Sequence, residues 1–236
     1  MNTTGRAPLR AQPIIALDVS TIAAARLLVD RLGPRADFVK VGLELFTAEG
    51  PRVVEWLQSI GRRVFLDLKL YDIPNTVQGA ARSASSMGVS LLTVHGYGGT
   101  AMVEAAVEGA GPTTGILVVT VLTSFDARSV GVALGRDVPE LGAEVTRLAA
   151  VAQASGAHGV VCSGHEVAAV RSSFPGLSPL IPGLRLDGDA AHDQSRVVTP
   201  ARAARDGASY LVLGRAVTAS PDPAATLERV LLSLRD

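Results

Sequence analysis

Short β-branched runs recur along this chain about every 25 to 30 residues, and the segments between them carry alanine and arginine in helical patterns. That alternation leaves few folds open, because strands joined by helical crossovers lie parallel in one sheet with helices covering its faces. Eight runs can be counted, over residues 14–19, 38–42, 64–68, 91–95, 116–121, 159–162, 180–182 and 210–214. Helical patterns are expected over 21–32, 76–87, 101–110, 138–155, 166–173, 200–206 and 223–234, with start signals at Thr21, Thr76 and Pro200. Eight such units in 236 residues fit a closed (β/α)₈ barrel, the TIM-barrel class of α/β fold, better than an open doubly wound sheet. No Gly-x-Gly-x-x-Gly follows the first run to support the open sheet. No Pro-, Gly- or Ser-rich linker divides the chain, so residues 1–236 are read as one domain, with 1–13 an extended or flexible N-terminal segment.

Charge narrows the partners. Twenty-two acidic residues balance 22 basic ones and no basic run occurs, which argues against nucleic acid and anionic membranes. Residues 1–13 lack the apolar stretch of a signal peptide, and no apolar segment approaches the roughly 20 residues of a membrane span. The expectation is a soluble cytoplasmic protein. The single cysteine, Cys162, has no metal-ligand spacing around it and reads as a small core residue.

In a barrel of this class the chemistry sits at the carboxyl ends of the strands. Polar residues collect there: Asp18, Lys40, Asp67 with Lys69, His95, Thr123 with Ser124, Arg185, and Gly214 with Arg215. Lys40 and Lys69 are the chain's two lysines against twenty arginines. An ammonium can give up a proton near neutral pH and a guanidinium cannot, so the two lysines mark places where arginine would not serve. Asp67 and Lys69, two apart on a strand, should project together into the barrel mouth while Leu66 and Leu68 pack outward. A cation between carboxylates, beside a substrate anion those carboxylates repel, suits a reaction that expels a negative group and protonates the carbanion left behind. A purely structural ion pair would use the same residues. Gly214 would let backbone N–H groups approach an anion, with Arg215 adding a charge-assisted contact, and the loop over 183–196 is long enough to close over a ligand. His95 reads as a satisfied rim residue, His158, His165 and His192 as surface or loop positions, and Trp56, in a helix after the second run, as core packing.

The segment Asp67-Leu68-Lys69-Leu70-Tyr71-Asp72-Ile73-Pro74-Asn75-Thr76 closely resembles the signature of the orotidine 5′-phosphate decarboxylase family, Asp-x-Lys-x-x-Asp followed by Ile-Pro-x-Thr. Ala16-Leu17-Asp18, Lys40-Val41-Gly42, Leu122-Thr123-Ser124, Pro182-Gly183-Leu184-Arg185, Asp193-Gln194 and Leu213-Gly214-Arg215 resemble its binding segments in the same order, so the likeness runs from about Ile14 to Ser220. The resemblance implies cofactor-independent, metal-free conversion of orotidine 5′-phosphate to UMP in pyrimidine biosynthesis. By the same resemblance Asp18 and Lys40 bind the ribose hydroxyls and Asp67 lies beside the substrate carboxylate. Lys69 protonates the vinylic carbon, within an alternating chain of Lys40, Asp67, Lys69 and Asp72. Asp72 and Thr76 reach the neighbouring site of a homodimer, and Arg185, Gln194, Gly214 and Arg215 hold the phosphate. Two positions depart from the pattern: Tyr71 stands where many bacterial relatives have histidine, and His192 replaces the glycine of Gly-Asp-Gln. Two other readings remain. A sister group of magnesium-dependent sugar-phosphate enzymes carries glutamate at the position of Lys40, and a catalytically silent barrel would lack one of the four charges.

Overall fold

The structure, a computed structural model, describes residues 9–186 and 198–235. Eight parallel strands close into a barrel in sequence order: β1 (Gln12–Ala16), β2 (Phe38–Gly42), β3 (Arg63–Leu70), β4 (Leu91–His95), β5 (Gly115–Val119), β6 (Gly159–Val161), β7 (Ser178–Ile181) and β8 (Tyr210–Leu213), with β8 pairing back onto β1. The fold is the expected (β/α)₈ barrel. Gln12 and Pro13 belong to β1, and the Arg10 and Gln12 N–H groups bond the carbonyls of Leu234 and Ser209.

The helices are α1 (Ile22–Leu32), α2 (Leu43–Glu49), α3 (Pro51–Ser59), α4 (Pro74–Ser86), α5 (Gly99–Ala110), α6 (Ala127–Leu134), α7 (Leu141–Ala154), α8 (Val167–Ser173), α9 (Pro200–Arg205), α10 (Arg215–Thr218) and α11 (Pro223–Ser233). Thr21 caps α1 by accepting from the Ala24 N–H, and Thr199 caps α9 through the Arg202 N–H. Proline occupies the first turn of α4, so that helix starts at Pro74, two residues before the expected Thr76. The short helices α2 and α6 add to the expected set, and α3 is the helix expected to carry Trp56 after the second strand, Gly50 and Pro51 dividing the span between β2 and β3 into two.

Two apolar layers flank the sheet, as strands buried on both faces require. Ile15, Val39, Val41, Leu66, Leu92 and Val118 point outward into the large layer under the helices. Ile14, Ala16, Phe38, Phe65, Leu91, Leu117, Leu180 and Val212 fill the barrel interior. The side-chain period of two carries the inner face from these apolar residues to polar ones toward the carboxyl ends: Phe38 is followed by Lys40, Phe65 by Asp67, and Leu91 by Thr93 and His95. Charge therefore collects at one mouth. At the opposite end the Arg63 guanidinium stacks 4.4 Å above the Phe38 ring and His158 hydrogen-bonds the Tyr210 hydroxyl at 2.9 Å.

Candidate active site

Parallel pairing sets Ala16 of β1 opposite Lys40, and Gly42 of β2 opposite Asp67, which brings three chain segments to one place at the mouth. Lys40 Nζ donates to Asp18 Oδ1 at 2.7 Å and lies 3.8 Å from Asp67 Oδ2. Lys69 Nζ donates to Asp67 Oδ1 at 2.9 Å. The result is a row of alternating sign, Asp18, Lys40, Asp67, Lys69, in which each ammonium faces carboxylate oxygen. Exposure is graded along it: the Lys40 side chain is 9% exposed and Asp67 15%, against 33% for Lys69 and 59% for Asp18. Lys69 and Asp18 are thus the most exposed members of the row. Glycine at position 42 has a steric reason, since a Cβ there would stand 3.0 Å from Lys40 Nζ and 3.6 Å from Asp18 Oδ1.

Asp67 and Lys69 meet as expected, although not on a regular strand. Between Leu66 and Leu70, β3 advances four residues while its partner β4 advances two, from Leu92 to Val94. Lys69 takes up the excess in the left-handed region at φ 49°, alone among the described non-glycine residues. That conformation costs roughly 1–2 kcal/mol for a residue with a Cβ. Its N–H leaves the ladder and donates instead to Thr93 Oγ1 at 2.8 Å, and the Thr93 hydroxyl donates to Asp67 Oδ1 at 2.9 Å.

Asp72 does not extend the row within one chain. It lies beyond the end of β3, exposed at the rim, with Oδ1 accepting from the Ile73 N–H at 2.6 Å. Tyr71, Ile73, Pro74, Asn75 and Thr76 are exposed beside it. Leu68 and Leu70 turn away from the mouth and pack against the layer under the helices, so only their backbone faces the site. Thr123 and Ser124 form an exposed turn after β5; Pro182 and Arg185 are partly buried after β7, with the Arg185 N–H bonding the Val198 carbonyl at 3.3 Å. Gly214 caps the four-residue α10 and Arg215 opens it, exposed, with open space where a Gly214 side chain would be. Gln194, with His192 and Asp193, lies outside the described residues.

His95 follows Thr93 on the inner face of β4. Its ring stacks on Tyr97 at 5.2 Å and lies 5.9 Å from the ring of Tyr71. Burial, and then the positive charge of Lys69, push its pKa down, so the imidazole is neutral at neutral pH. Cys162 is buried, and the loss of hydration together with the charge of Glu166 raises its thiol pKa, which keeps it an inert core residue. Two features had no place in the sequence reading. Thr93, fully buried, was marked only by a polar residue in phase with Leu91 and His95 on an apolar strand. Glu144 of α7, 4% exposed, is clamped by Arg136 and Arg147 at 2.6 Å each, and nothing in its local sequence sets it apart.

The chain matches the model of the "Orotidine 5'-phosphate decarboxylase / HUMPS family" over residues 11–230. An orotidine 5′-phosphate decarboxylase of Anaeromyxobacter sp. (strain K) is 52% identical over 220 residues, covering 93% of this chain and 96% of the relative. One of Moorella thermoacetica is 47% identical over 228 residues, covering 92% and 89%. The crystal structure of orotidine 5′-phosphate decarboxylase from Lactobacillus acidophilus superposes with a TM-score of 0.86 at 33% identity, covering 96% of this chain and 100% of that one. With a shared barrel, a family match over residues 11–230 and near-complete coverage of relatives, this chain belongs to the orotidine 5′-phosphate decarboxylase / HUMPS family.

Proposed function

We propose that this protein decarboxylates orotidine 5′-phosphate to UMP and carbon dioxide, a step of pyrimidine biosynthesis, in the cytoplasm and without metal or organic cofactor. The observation that carries the reading is the alternating row Asp18, Lys40, Asp67, Lys69 in the barrel mouth. In this reading the substrate carboxylate lies beside Asp67, whose like charge it meets at close range. The bond from the ring to the carboxylate breaks, carbon dioxide departs, and the electron pair stays on the vinylic carbon. Lys69 Nζ gives that carbon a proton and is left neutral. Asp18 and Lys40 bind the ribose hydroxyls, while Arg185, Gln194, Gly214 and Arg215 take the phosphate, remote contacts whose binding energy holds the carboxylate in place. Thr123, Ser124 and Pro182 line the same mouth from the loops after β5 and β7. The exposed rim over 71–76 is read as the surface of a homodimer, through which Asp72 and Thr76 enter the neighbouring site.

The sister group of magnesium-dependent sugar-phosphate enzymes is the alternative, and Lys40 argues against that chemistry here. Its ammonium already stands between Asp18 and Asp67, where a divalent cation would be repelled. The deciding experiment follows the ultraviolet absorbance of orotidine 5′-phosphate with purified protein, with and without EDTA. Turnover that EDTA leaves unchanged is expected. Abolition by the chelator would favour the magnesium-dependent sister group, and tight binding without turnover would favour a silent barrel.

A further inference from the structure

The Thr93 hydroxyl sits where three contacts close a ring through a single residue. Lys69 donates its backbone N–H to Thr93 Oγ1 at 2.8 Å, Thr93 donates to Asp67 Oδ1 at 2.9 Å, and the Lys69 ammonium donates to that same Oδ1 at 2.9 Å. A hydroxyl has one hydrogen to give, and here it goes to the carboxylate, which leaves a lone pair for the Lys69 N–H. Both ends of Lys69 are therefore referenced to one point on β4. The bulge in β3 makes the arrangement necessary: the Lys69 N–H has left the ladder, and its left-handed backbone needs a partner outside β3 to hold it. Thr93 supplies that partner from a fully buried position, and its branched Cβ restricts the rotation of the hydroxyl.

The same bond orients Asp67. With Oδ1 shared between Thr93 and Lys69, Oδ2 is the oxygen left toward Lys40, at 3.8 Å. Turning the carboxylate plane away from Thr93 would lose a charge-assisted bond to a buried hydroxyl. We infer that Thr93 is a positioning residue for the reaction: it touches no substrate and acts by fixing the Lys69 ammonium and the Asp67 carboxylate relative to each other. The inference rests on the reading of Lys69 as proton donor.

Thr93→Val keeps the shape and removes the hydroxyl, while Thr93→Ser keeps the hydroxyl. For Thr93→Val the expected result is a kcat about 10- to 100-fold below wild type, with KM and UMP affinity within about threefold, because the sugar and phosphate contacts are untouched. Thr93→Ser is expected within about fivefold of wild-type kcat. Should the valine variant be insoluble, Thr93→Ala replaces it, with the same expected gap from serine. A valine or alanine kcat within twofold of wild type, an equal fall in the serine variant, or a loss confined to KM would each overturn the proposal. Lys69→Ala, assayed alongside, separates the two ideas. If its kcat is undiminished, the proton-donor reading fails whatever position 93 does; if its kcat falls by about 10²-fold or more while Thr93→Val is fully active, only the positioning role fails.

Discussion

Asp67 separates two ammonium groups that would otherwise repel, with Oδ1 at 2.9 Å from Lys69 Nζ and Oδ2 at 3.8 Å from Lys40 Nζ. Their burial differs, so their chemistry should too. Lys40 is enclosed and paired with Asp18, whereas Lys69 is a third exposed and directed at the mouth. Lys69→Ala is expected to lower kcat by about 10²–10⁴-fold, the range for loss of a positioned proton donor, while UMP still binds. Measured by absorbance for turnover and calorimetry for UMP, equal losses of both would mean that Lys69 serves binding instead. The two lysines were legible in the sequence because arginine fills every other cationic position and because both lie at the ends of strand-like runs. The backbone at Lys69 was not legible. A left-handed lysine carries no local signal, and it arises from the four-against-two register between β3 and β4.

Among the elements, α7 carries the most strongly perturbed carboxylate of the outer shell. Arg147 and Arg136 hydrogen-bond Glu144 and hold its pKa down at about 2 from an ordinary 4.5, against the opposing effect of burial. Arg136 lies in the connection between α6 and α7, so the pair fastens that connection to the helix. A carboxylate depressed in the fold stabilises it at pH values above the unfolded value, and the contribution fades as pH falls from 4.5 toward 2. With both arginines half exposed, Glu144→Gln is expected to cost about 2 kcal/mol at pH 7, or about 4–8 °C in Tm for a domain of this size. Calorimetry across pH checks this: the gap between variant and wild type should narrow below pH 4.5, and a gap constant down to pH 3 would refute the assignment. The helices from α1 to α11 that were expected were readable from their apolar stripes and from start signals such as Thr21 and Pro200; α2 and α6, seven and eight residues long, were not.

For the whole molecule, the parallel pairing of β1 with β2, β2 with β3 and β3 with β4 sets residues 18, 40, 67 and 93 side by side, since each comes from a different strand or its end. Asp72 stays outside that enclosure, on the exposed rim. If it completes a neighbouring site, two inactive variants should rescue each other: an equal mixture of Lys69→Ala and Asp72→Asn subunits, allowed to exchange, is expected to regain about a quarter of wild-type activity, because half the dimers are mixed and each of these holds one intact site. A mixture as inactive as its parents would show that no site is shared. The amino-acid sequence by itself determined the order of strands and main helices and the phase that turns Lys40 and Asp67 inward, because the period of a buried strand is local and survives in the residue pattern. Only the tertiary structure decided that Lys69 would be left-handed, that Thr93 would bridge it to Asp67, and that Asp18 instead of Asp72 would end the charged row within one chain. Those outcomes depend on the register between strands distant in sequence, which no local pattern encodes.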